Sequence, residues 1–148
     1  MAEMPEADDF ALRSMRPADL PAVVALWSAT PGVVLNESDT PDALLAYLQR
    51  NPSLSVVIED GAVLVGAALV GHDGRRGWLH HVAVAASHRG QGLGRALVRQ
   101  ALVALAAQNI PKCNVFVVAG NAAGQAFWEH LGFAARSDLI ALQRRTPV

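Results

Sequence analysis

The stretch Ser87–Leu102, SHRGQGLGRALVRQAL, constrains the fold of this chain more than any other feature. Three glycines stand at alternate positions between two arginines, and an apolar stripe at helical spacing, Leu93, Leu97 and Ala101, follows at once. The residues before the loop, ending at Val84, have the apolar and β-branched character of a strand. A strand, a glycine-rich loop and a helix in this order predict an α/β fold in which the loop presents backbone N–H groups at a helix N-terminus.

The rest of the sequence also alternates between strands and helices. Strands are predicted at 10–16, 54–59, 62–71, 78–84, 114–118 and 134–143. Helices are predicted through Leu20–Trp27, from Thr40 to about Arg50, over Leu93–Gln108 and over Asn121–Leu131, with Thr40 and Asn121 as N-caps. The second to fourth strands form an antiparallel meander, and the third helix makes the fifth strand parallel to the fourth. We expect an α/β (α+β) fold with a mixed, mostly antiparallel sheet of about six to seven strands, flanked by about four helices.

Length and charge bound the class of protein. A chain of 148 residues is the size of one domain, which we expect to span residues 10–148. Residues 1–9 carry four acids and little apolar surface, so we expect a flexible tail. The net charge of −1 lacks the positive field that binding to nucleic acid needs, so nucleic acid is not expected as a partner.

Cysteine content and hydropathy indicate the compartment. The single cysteine, Cys113, cannot form an internal disulfide, and residues 1–10 lack the pattern of a signal peptide. The longest uncharged apolar stretches, 62–71 and 101–110, are shorter than the about 20 residues that span a bilayer. We therefore expect a cytoplasmic protein with no membrane partner and no metal.

The glycine loop by itself leaves several ligands open. A nucleoside-triphosphate loop ends in Gly-Lys followed by Ser or Thr, but Gly94 is followed by Arg95 and Ala96. The dinucleotide fingerprint needs a third glycine, and counting from Gly90 and Gly92 places Arg95 there. Neither motif is present, and an ordinary glycine-rich turn and another kind of nucleotide site stay open.

Two spaced motifs narrow this choice. Arg89-x-x-Gly92-x-Gly94 follows HHVAV, and NAAGQAFWEHLGF, which begins at Asn121, lies downstream. In this order the two segments resemble the GCN5-related N-acetyltransferases (GNAT family), and the likeness extends over nearly the whole chain from Phe10. The resemblance implies the GNAT fold, acetyl-CoA as co-substrate, and direct transfer of the acetyl group to a primary amine in a ternary complex.

The resemblance also assigns residues to the coenzyme. The backbone N–H groups of Gly90–Arg95 would hold its pyrophosphate, and its pantetheine arm would lie along Val82–Val84 as an added strand. A backbone N–H near Val82 or Ala83 would stabilise the oxyanion, and Asn121 would face the arm in addition to capping its helix. The implied coenzyme-binding residues are Val82, Ala83, Val84, Arg89, Gly90, Gln91, Gly92, Leu93, Gly94, Arg95, Asn121 and Trp128.

Amine acetylation also needs a proton acceptor, because an alkyl amine is mostly protonated near neutral pH. A histidine suits this step, since its ordinary pKa of about 6.5 lies near that pH. Strand alternation in WLHHVAV puts the even-numbered residues, Trp78 to Val84, on one side and the odd-numbered residues, Leu79 to Ala83, on the other, so only one histidine is expected to face the cleft. By its place in the family strand His80 is the preferred catalytic residue. His81 is the alternative, and packing roles for both stay open.

The acceptor site is defined least well. The segment between the first two helices carries Glu37, Asp39 and Asp42 where the family takes its second substrate, and a carboxylate there would attract a cationic amine. Helix-start chemistry and solvation are the alternative for these acids. Glu37 is the acid that we prefer for binding the amine. Tyr47 and Trp78 are also predicted to bind the substrate. The partner is a small-molecule or peptide amine, and homodimer formation is left open.

One position departs from the family pattern. Many members carry a tyrosine in the Leu-Gly-Phe helix that protonates the departing thiolate, and here the matching residue is Trp128. An indole N–H donates a hydrogen bond but does not release its proton at neutral pH. A second hypothesis therefore stays open, in which the protein is a catalytically weak acetyl-CoA-binding sensor or interaction module.

Overall fold

The structure, a computed structural model, describes residues 10–147. The described chain divides after Phe116 into two compact units. The predicted flexible tail, residues 1–9, lies outside the described residues. Within residues 10–147, no helix is both long enough and apolar enough to cross a lipid bilayer.

The first unit is built on a five-stranded sheet whose strands lie side by side in chain order. The strands β1 to β4 are antiparallel neighbours, and β5 runs parallel to β4. The predicted mixed, mostly antiparallel sheet with its meander is confirmed. The strands are β1 (Ala11–Ser14), β2 (Val56–Asp60), β3 (Val63–His72), β4 (Gly77–Val84) and β5 (Cys113–Val115).

The sheet has fewer strands than the six to seven predicted. The segment 134–143, predicted as a strand, is irregular and contains a turn. Arg136 donates two hydrogen bonds to Asp138, and its carbonyl accepts the N–H of Leu139 at 3.4 Å. A strand needs a ladder partner for its backbone groups, and the described residues of this second unit include no strand. An apolar pattern was therefore not sufficient to form one.

The described residues form four α-helices, the number predicted. Thr40 caps the second helix through Oγ1, which accepts the N–H of Ala43 at 3.2 Å. Asn121 caps the fourth through Oδ1, which accepts the N–H of Gly124 at 2.9 Å. Both predicted N-caps are confirmed, since these oxygens pair with first-turn N–H groups that have no partner within the helix. The helices are α1 (Leu20–Ser28), α2 (Pro41–Arg50), α3 (Leu93–Ala107) and α4 (Ala122–His130).

In the first unit, the two faces of the sheet pack against different helices. One face packs against α1 and α2 in an apolar cluster that includes Trp27, Leu44 and Leu69. The other face packs against α3. At Gly77 an added Cβ would lie 2.6 Å from Cδ1 of Leu105, so only glycine lets α3 approach β4 this closely. Helix α3 therefore packs directly on β4.

An irregularity interrupts the pairing of β4 with β3. His81 and Val82 together lie opposite the single residue Ala68, which makes this a β-bulge. His81 has φ of 53°, in the left-handed region that residues other than glycine rarely adopt. One extra residue in β4 moves every later side chain to the other side of the sheet.

The bulge overturns the predicted separation of the two histidines. His80 lies opposite Leu69, a residue of the α1–α2 cluster, and Ala83 is itself a member of that cluster. The ring of His81 contacts Trp27 of α1 on the same side. The even and odd residues are therefore not separated as predicted, and both histidines lie on the side of the sheet that α1 and α2 cover.

Candidate active site

The loop between β4 and α3 forms the first part of the candidate site. Gly90 and Gly92 have φ of 78° and 79°, a conformation that glycine adopts without strain. An added Cβ at either position would meet no atom within 4 Å, so the surface of the loop is open. Gly92 is the N-cap of α3, and the N–H groups of Leu93, Gly94 and Arg95 have no acceptor among the described residues. These donors and the positive end of the helix dipole favour an anion.

Two side chains of this loop, Arg89 and Gln91, have distinctive surroundings. Arg89 donates from Nε to the carbonyl of Val84 at 3.1 Å, which braces the loop against the last residue of the strand. Oε1 of Gln91 is buried and has no hydrogen-bond partner in the described part of the chain. A buried polar atom without a partner is uncommon in a native protein, and here it fits a loop that binds a ligand.

The end of β4 has a free edge beside the loop. β5 pairs with β4 only over Gly77–Leu79, so no strand of residues 10–116 covers this edge of His80–Val84. The N–H of Ala85 donates to Val65 of β3 at 2.8 Å. Because N–H directions alternate along a strand, the N–H of Val84 points to the free edge. An extended ligand can add to such an edge as a further strand.

His80 stands on β4 between two aromatic rings. Its half-buried imidazole lies 6.2 Å from the ring of Trp78, nearly parallel to it, and 6.1 Å from the ring of Tyr47 on α2. Burial lowers the pKa of His80 below its usual value near 6.5, and His81 lowers it further, while Asp39 opposes the shift. The ring is therefore neutral at pH 7 and able to accept a proton.

His81 is held by a carboxylate. Its Nε2 lies 2.8 Å from Oδ1 of Asp39, whose side chain is only 5% exposed. The ring centroid of His81 is 4.9 Å from that of the fully buried Trp27. The second oxygen of Asp39 accepts the N–H of Asn36 at 3.0 Å, so this carboxylate ties the α1–α2 connection to the bulge of β4. The sequence showed this acid but not its partner, because the contact depends on the bulge.

A pocket of about 330 Å³ opens between α2, the β3–β4 hairpin and the end of β5. It brings together three predicted site residues, Tyr47, Trp78 and His80. Glu37 is not among the residues that line it, and its role in binding the amine stays a prediction. Sequence analysis missed the other lining residues, which are Arg50, Asn51, His72, Asp73 and Phe116.

The missed residues carried little local signal. Asn51 directly follows the predicted second helix, and its buried side chain accepts the N–H of His72 at 3.1 Å and donates to the carbonyl of Tyr47 at 3.3 Å. His72 contacts Oε1 of Gln108 at 2.8 Å through Nε2. Asn51 and His72 are far apart in the sequence, as are His72 and Gln108, and only the packing of α2 and α3 against the hairpin brings them together.

Tyr47 forms one wall of the pocket. A Cβ added at Gly71 would clash with its hydroxyl, so the phenol packs directly against the backbone of β3. Burial raises the pKa of Tyr47 to about 12. The phenol stays protonated at neutral pH and is a weaker acid than an ordinary tyrosine.

The two predicted coenzyme residues of the second unit have local roles there. Asn121 caps α4, as predicted. Trp128 packs edge to face against Phe127 and Phe133, each with ring centroids 5.1 Å apart. Contact of Asn121 or Trp128 with a coenzyme stays a prediction.

Cys113, the single cysteine of the chain, lies at the start of β5. It is a free thiol, and burial raises its pKa to about 11, so it stays protonated and unreactive at neutral pH. Within residues 10–147, no three or more His, Cys, Asp or Glu side chains are arranged to hold a metal ion. His80 is thus the described group of this site best suited to accept a proton.

The fold is shared with solved acetyltransferase structures. Ard1 from Thermoplasma volcanium superposes with a TM-score of 0.76 at 19% identity, covering 86% of this chain and 84% of that chain. The PaiA N-acetyltransferase of Thermoplasma acidophilum, solved in complex with coenzyme A, has a TM-score of 0.74 at 17% identity, covering 86% of this chain and 91% of that one. The fold is that of the N-acetyltransferase class.

Sequence comparison identifies the family within this class. Residues 20–133 match the sequence model of the acetyltransferase (GNAT) family. An acetyltransferase of Pectobacterium atrosepticum is 30% identical over 135 residues, covering 90% of this chain and 94% of that protein. The chain belongs to the GNAT acetyltransferase family. The resemblance seen in the two sequence motifs and the predicted acyltransferase class are confirmed.

Proposed function

We propose that this protein is an N-acetyltransferase that transfers the acetyl group of acetyl-CoA directly to a primary amine within a ternary complex. Its acceptor is a small-molecule or peptide amine, and its place of action is the cytoplasm. The observation that carries the proposal is one arrangement in the first unit: the open glycine loop, the free edge of β4, and the neutral His80 follow one another along the same strand and loop. Family membership supports acetyl-CoA as the acyl donor.

The glycine loop would hold the pyrophosphate of acetyl-CoA. The N–H groups of Leu93, Gly94 and Arg95 have no other acceptor in the described chain, and the conformations of Gly90 and Gly92 leave their approach open. The coenzyme A complex of the Thermoplasma acidophilum protein supports this choice of ligand. The donors present therefore fit a diphosphate.

The bulge would position the reacting thioester. The pantetheine arm would pair with the N–H of Val84 along the free edge, toward His80. A bulge interrupts the ladder at His81 and Val82, and a backbone N–H near Val82 or Ala83 would stabilise the oxyanion. A donor of this kind contributes about 3–4 kcal/mol to transition-state stabilisation in comparable sites.

His80 is the proposed proton acceptor. The free amine attacks the thioester carbonyl carbon, a C–N bond forms, and the C–S bond breaks. The N–H proton passes to His80 directly or through water, and the departing thiolate takes up one proton from water or from the His80 imidazolium. The products are the amide and coenzyme A. Neither the indole of Trp128 nor the phenol of Tyr47, with its raised pKa of about 12, is well suited to protonate the thiolate.

An acetyl-CoA-binding sensor or interaction module is the second candidate. The observation that favours it is Trp128, which stands where many family members carry a tyrosine. A sensor would bind acetyl-CoA through the same glycine loop without turning it over. Binding and turnover must therefore be measured separately.

Coenzyme A release over a panel of primary amines tests the proposal. Thiol release is followed with a chromogenic disulfide, and calorimetry measures coenzyme A binding without any amine. We expect coenzyme A to bind and thiol release to depend on both acetyl-CoA and amine. Binding without amine-dependent release would overturn the enzyme in favour of the sensor. Failure to bind coenzyme A would overturn both.

A further inference from the structure

The pocket beside His80 has a continuous aromatic wall, formed by Tyr47, Trp78, His80 and Phe116. Trp78 lies between its two neighbours, with ring centroids 5.1 Å from Phe116 and 6.2 Å from His80. Tyr47 meets His80 edge to face at 6.1 Å. Aromatic faces of this kind attract an alkylammonium ion and also bury the apolar body that carries it.

The formal charges that line the pocket balance each other. Arg50 supplies one positive charge and Asp73 one negative charge. The carboxylate of Asp73 accepts the N–H groups of Arg75 and Arg76, each at 2.8 Å, and these hydrogen bonds lower its pKa, so it is ionised at neutral pH. For a substrate with two or more positive charges, the lining offers a single carboxylate, that of Asp73, and the guanidinium of Arg50 already balances its charge.

His72, the other imidazole of the lining, is held in place by two hydrogen bonds. Its Nδ1 accepts the N–H of Gly74 at 3.0 Å. Its Nε2 lies 2.8 Å from Oε1 of Gln108. The walls of the pocket thus offer ring faces rather than excess negative charge.

We infer that the acceptor is a small primary amine with one positive charge on an aromatic body, of the arylalkylamine class. This inference rests on the proposed function and specifies its substrate. The ammonium group would lie against the aromatic wall near His80, and the aromatic body would displace water from Trp78 and Phe116. The volume of about 330 Å³ is at the low end of small-molecule sites, which suits such an amine.

Steady-state kinetics with four amines test the inference: 2-phenylethylamine, n-butylamine, putrescine and an Nα-blocked lysine amide. We expect kcat/KM for 2-phenylethylamine to exceed that for putrescine and for the lysine amide by about 10-fold or more, with n-butylamine between. Trp78→Leu should lower the value for 2-phenylethylamine by about 10-fold and change that for n-butylamine much less. Val103→Ala, at an exposed position on α3, is the matched control and should match wild type.

The possible results distinguish failure of the arylalkylamine inference from failure of the proposed function. Equal or higher kcat/KM for putrescine or the lysine amide overturns the arylalkylamine inference and leaves the proposed function intact. An unchanged preference in Trp78→Leu also overturns the inference. Phe116→Leu, which alters the same wall beyond the end of β5, gives the same test if Trp78→Leu does not fold. No transfer to any amine, with coenzyme A bound, overturns the proposed function itself.

Discussion

His80 and His81 are adjacent in the sequence, but their side chains have different surroundings. His80 lines the aromatic pocket, where burial lowers its pKa and keeps the ring neutral. His81 contacts Trp27 and the carboxylate of Asp39, 2.8 Å from its Nε2. A neutral ring beside the pocket suits proton acceptance, whereas a ring fixed by a carboxylate suits the maintenance of the bulge. The two residues therefore call for different experiments.

Substitution of His80 should remove the proton acceptor. We expect His80→Gln to lower kcat/KM by about 100-fold, the lower range for general-base catalysis. Because burial lowers the pKa of His80, wild type should lose activity through protonation of this ring only below about pH 6.5, and that step should be missing in His80→Gln. The measurement is log(kcat/KM) against pH. His130→Gln, at an exposed histidine, is the control, and a retained acid step in His80→Gln would contradict the assignment.

Substitution of Asp39 should destabilise the first unit. Asp39→Ala leaves Nε2 of the mostly buried His81 without its partner, which should lower the free energy of unfolding by about 1–3 kcal/mol. Asp42→Ala removes an exposed carboxylate from the first turn of α2 and should cost less than about 1 kcal/mol. Urea titration of both variants measures the difference. Equal stability of the two would show that the Asp39–His81 pair does not support the fold.

At the scale of elements, β4 and the start of α3 together carry the site. The strand supplies a free edge and the histidines, and the helix supplies unpaired N–H groups one loop later. Two left-handed glycines, Gly90 and Gly92, make the connection possible without side chains in the path of a ligand. The site is thus a property of a strand–loop–helix unit rather than of isolated residues.

Alanine at Gly92 should weaken coenzyme A binding, whereas alanine at Gly74 should lower stability by a similar amount without affecting binding. Gly92 and Gly74 have φ of 79° and 91°, and an added Cβ at either meets no atom within 4 Å. Alanine at either position should therefore cost about 1–2 kcal/mol of backbone strain. Only Gly92→Ala should weaken coenzyme A binding, by about 10-fold in calorimetry, because its methyl group lies where a phosphate approaches the loop. Equal affinity of the two variants would place the coenzyme elsewhere.

At the scale of the whole molecule, helices limit where a ligand can bind the first unit. Helices α1 and α2 pack against one face of the sheet and α3 against the other. The strand ends, the loops and the free edge of β4 are what remains for ligands. Binding at this position links the sheet to α3, so it should stabilise the folded chain as a whole.

Acetyl-CoA should therefore raise the melting temperature. At 100 times its Kd a ligand adds about 2.7 kcal/mol, which for a chain of 148 residues corresponds to an increase of roughly 5–10 °C. Pantetheine, which lacks the pyrophosphate, should have little effect at the same concentration. A larger shift with ATP or NAD than with acetyl-CoA would favour a nucleotide-binding protein instead.

Much of the fold followed from short-range patterns. The hydroxyl of Thr40 and the amide of Asn121 cap the helices that they were expected to begin, since capping depends only on the next three residues. The glycine loop stands between a strand and a helix for the same local reason. The segment 134–143 shows the limit, because its apolar residues resemble a strand but a strand forms only against a partner.

The sequence by itself determined the order of the elements, the glycine loop and the family, since each is encoded by residues close together in the chain. Only the tertiary structure decided that His80 and His81 face the same side, because the bulge appears only when β4 is paired with β3. It also decided that Tyr47 and Trp78 share one pocket. Periodicity describes neighbours along the chain, whereas register and packing join residues that no local pattern connects.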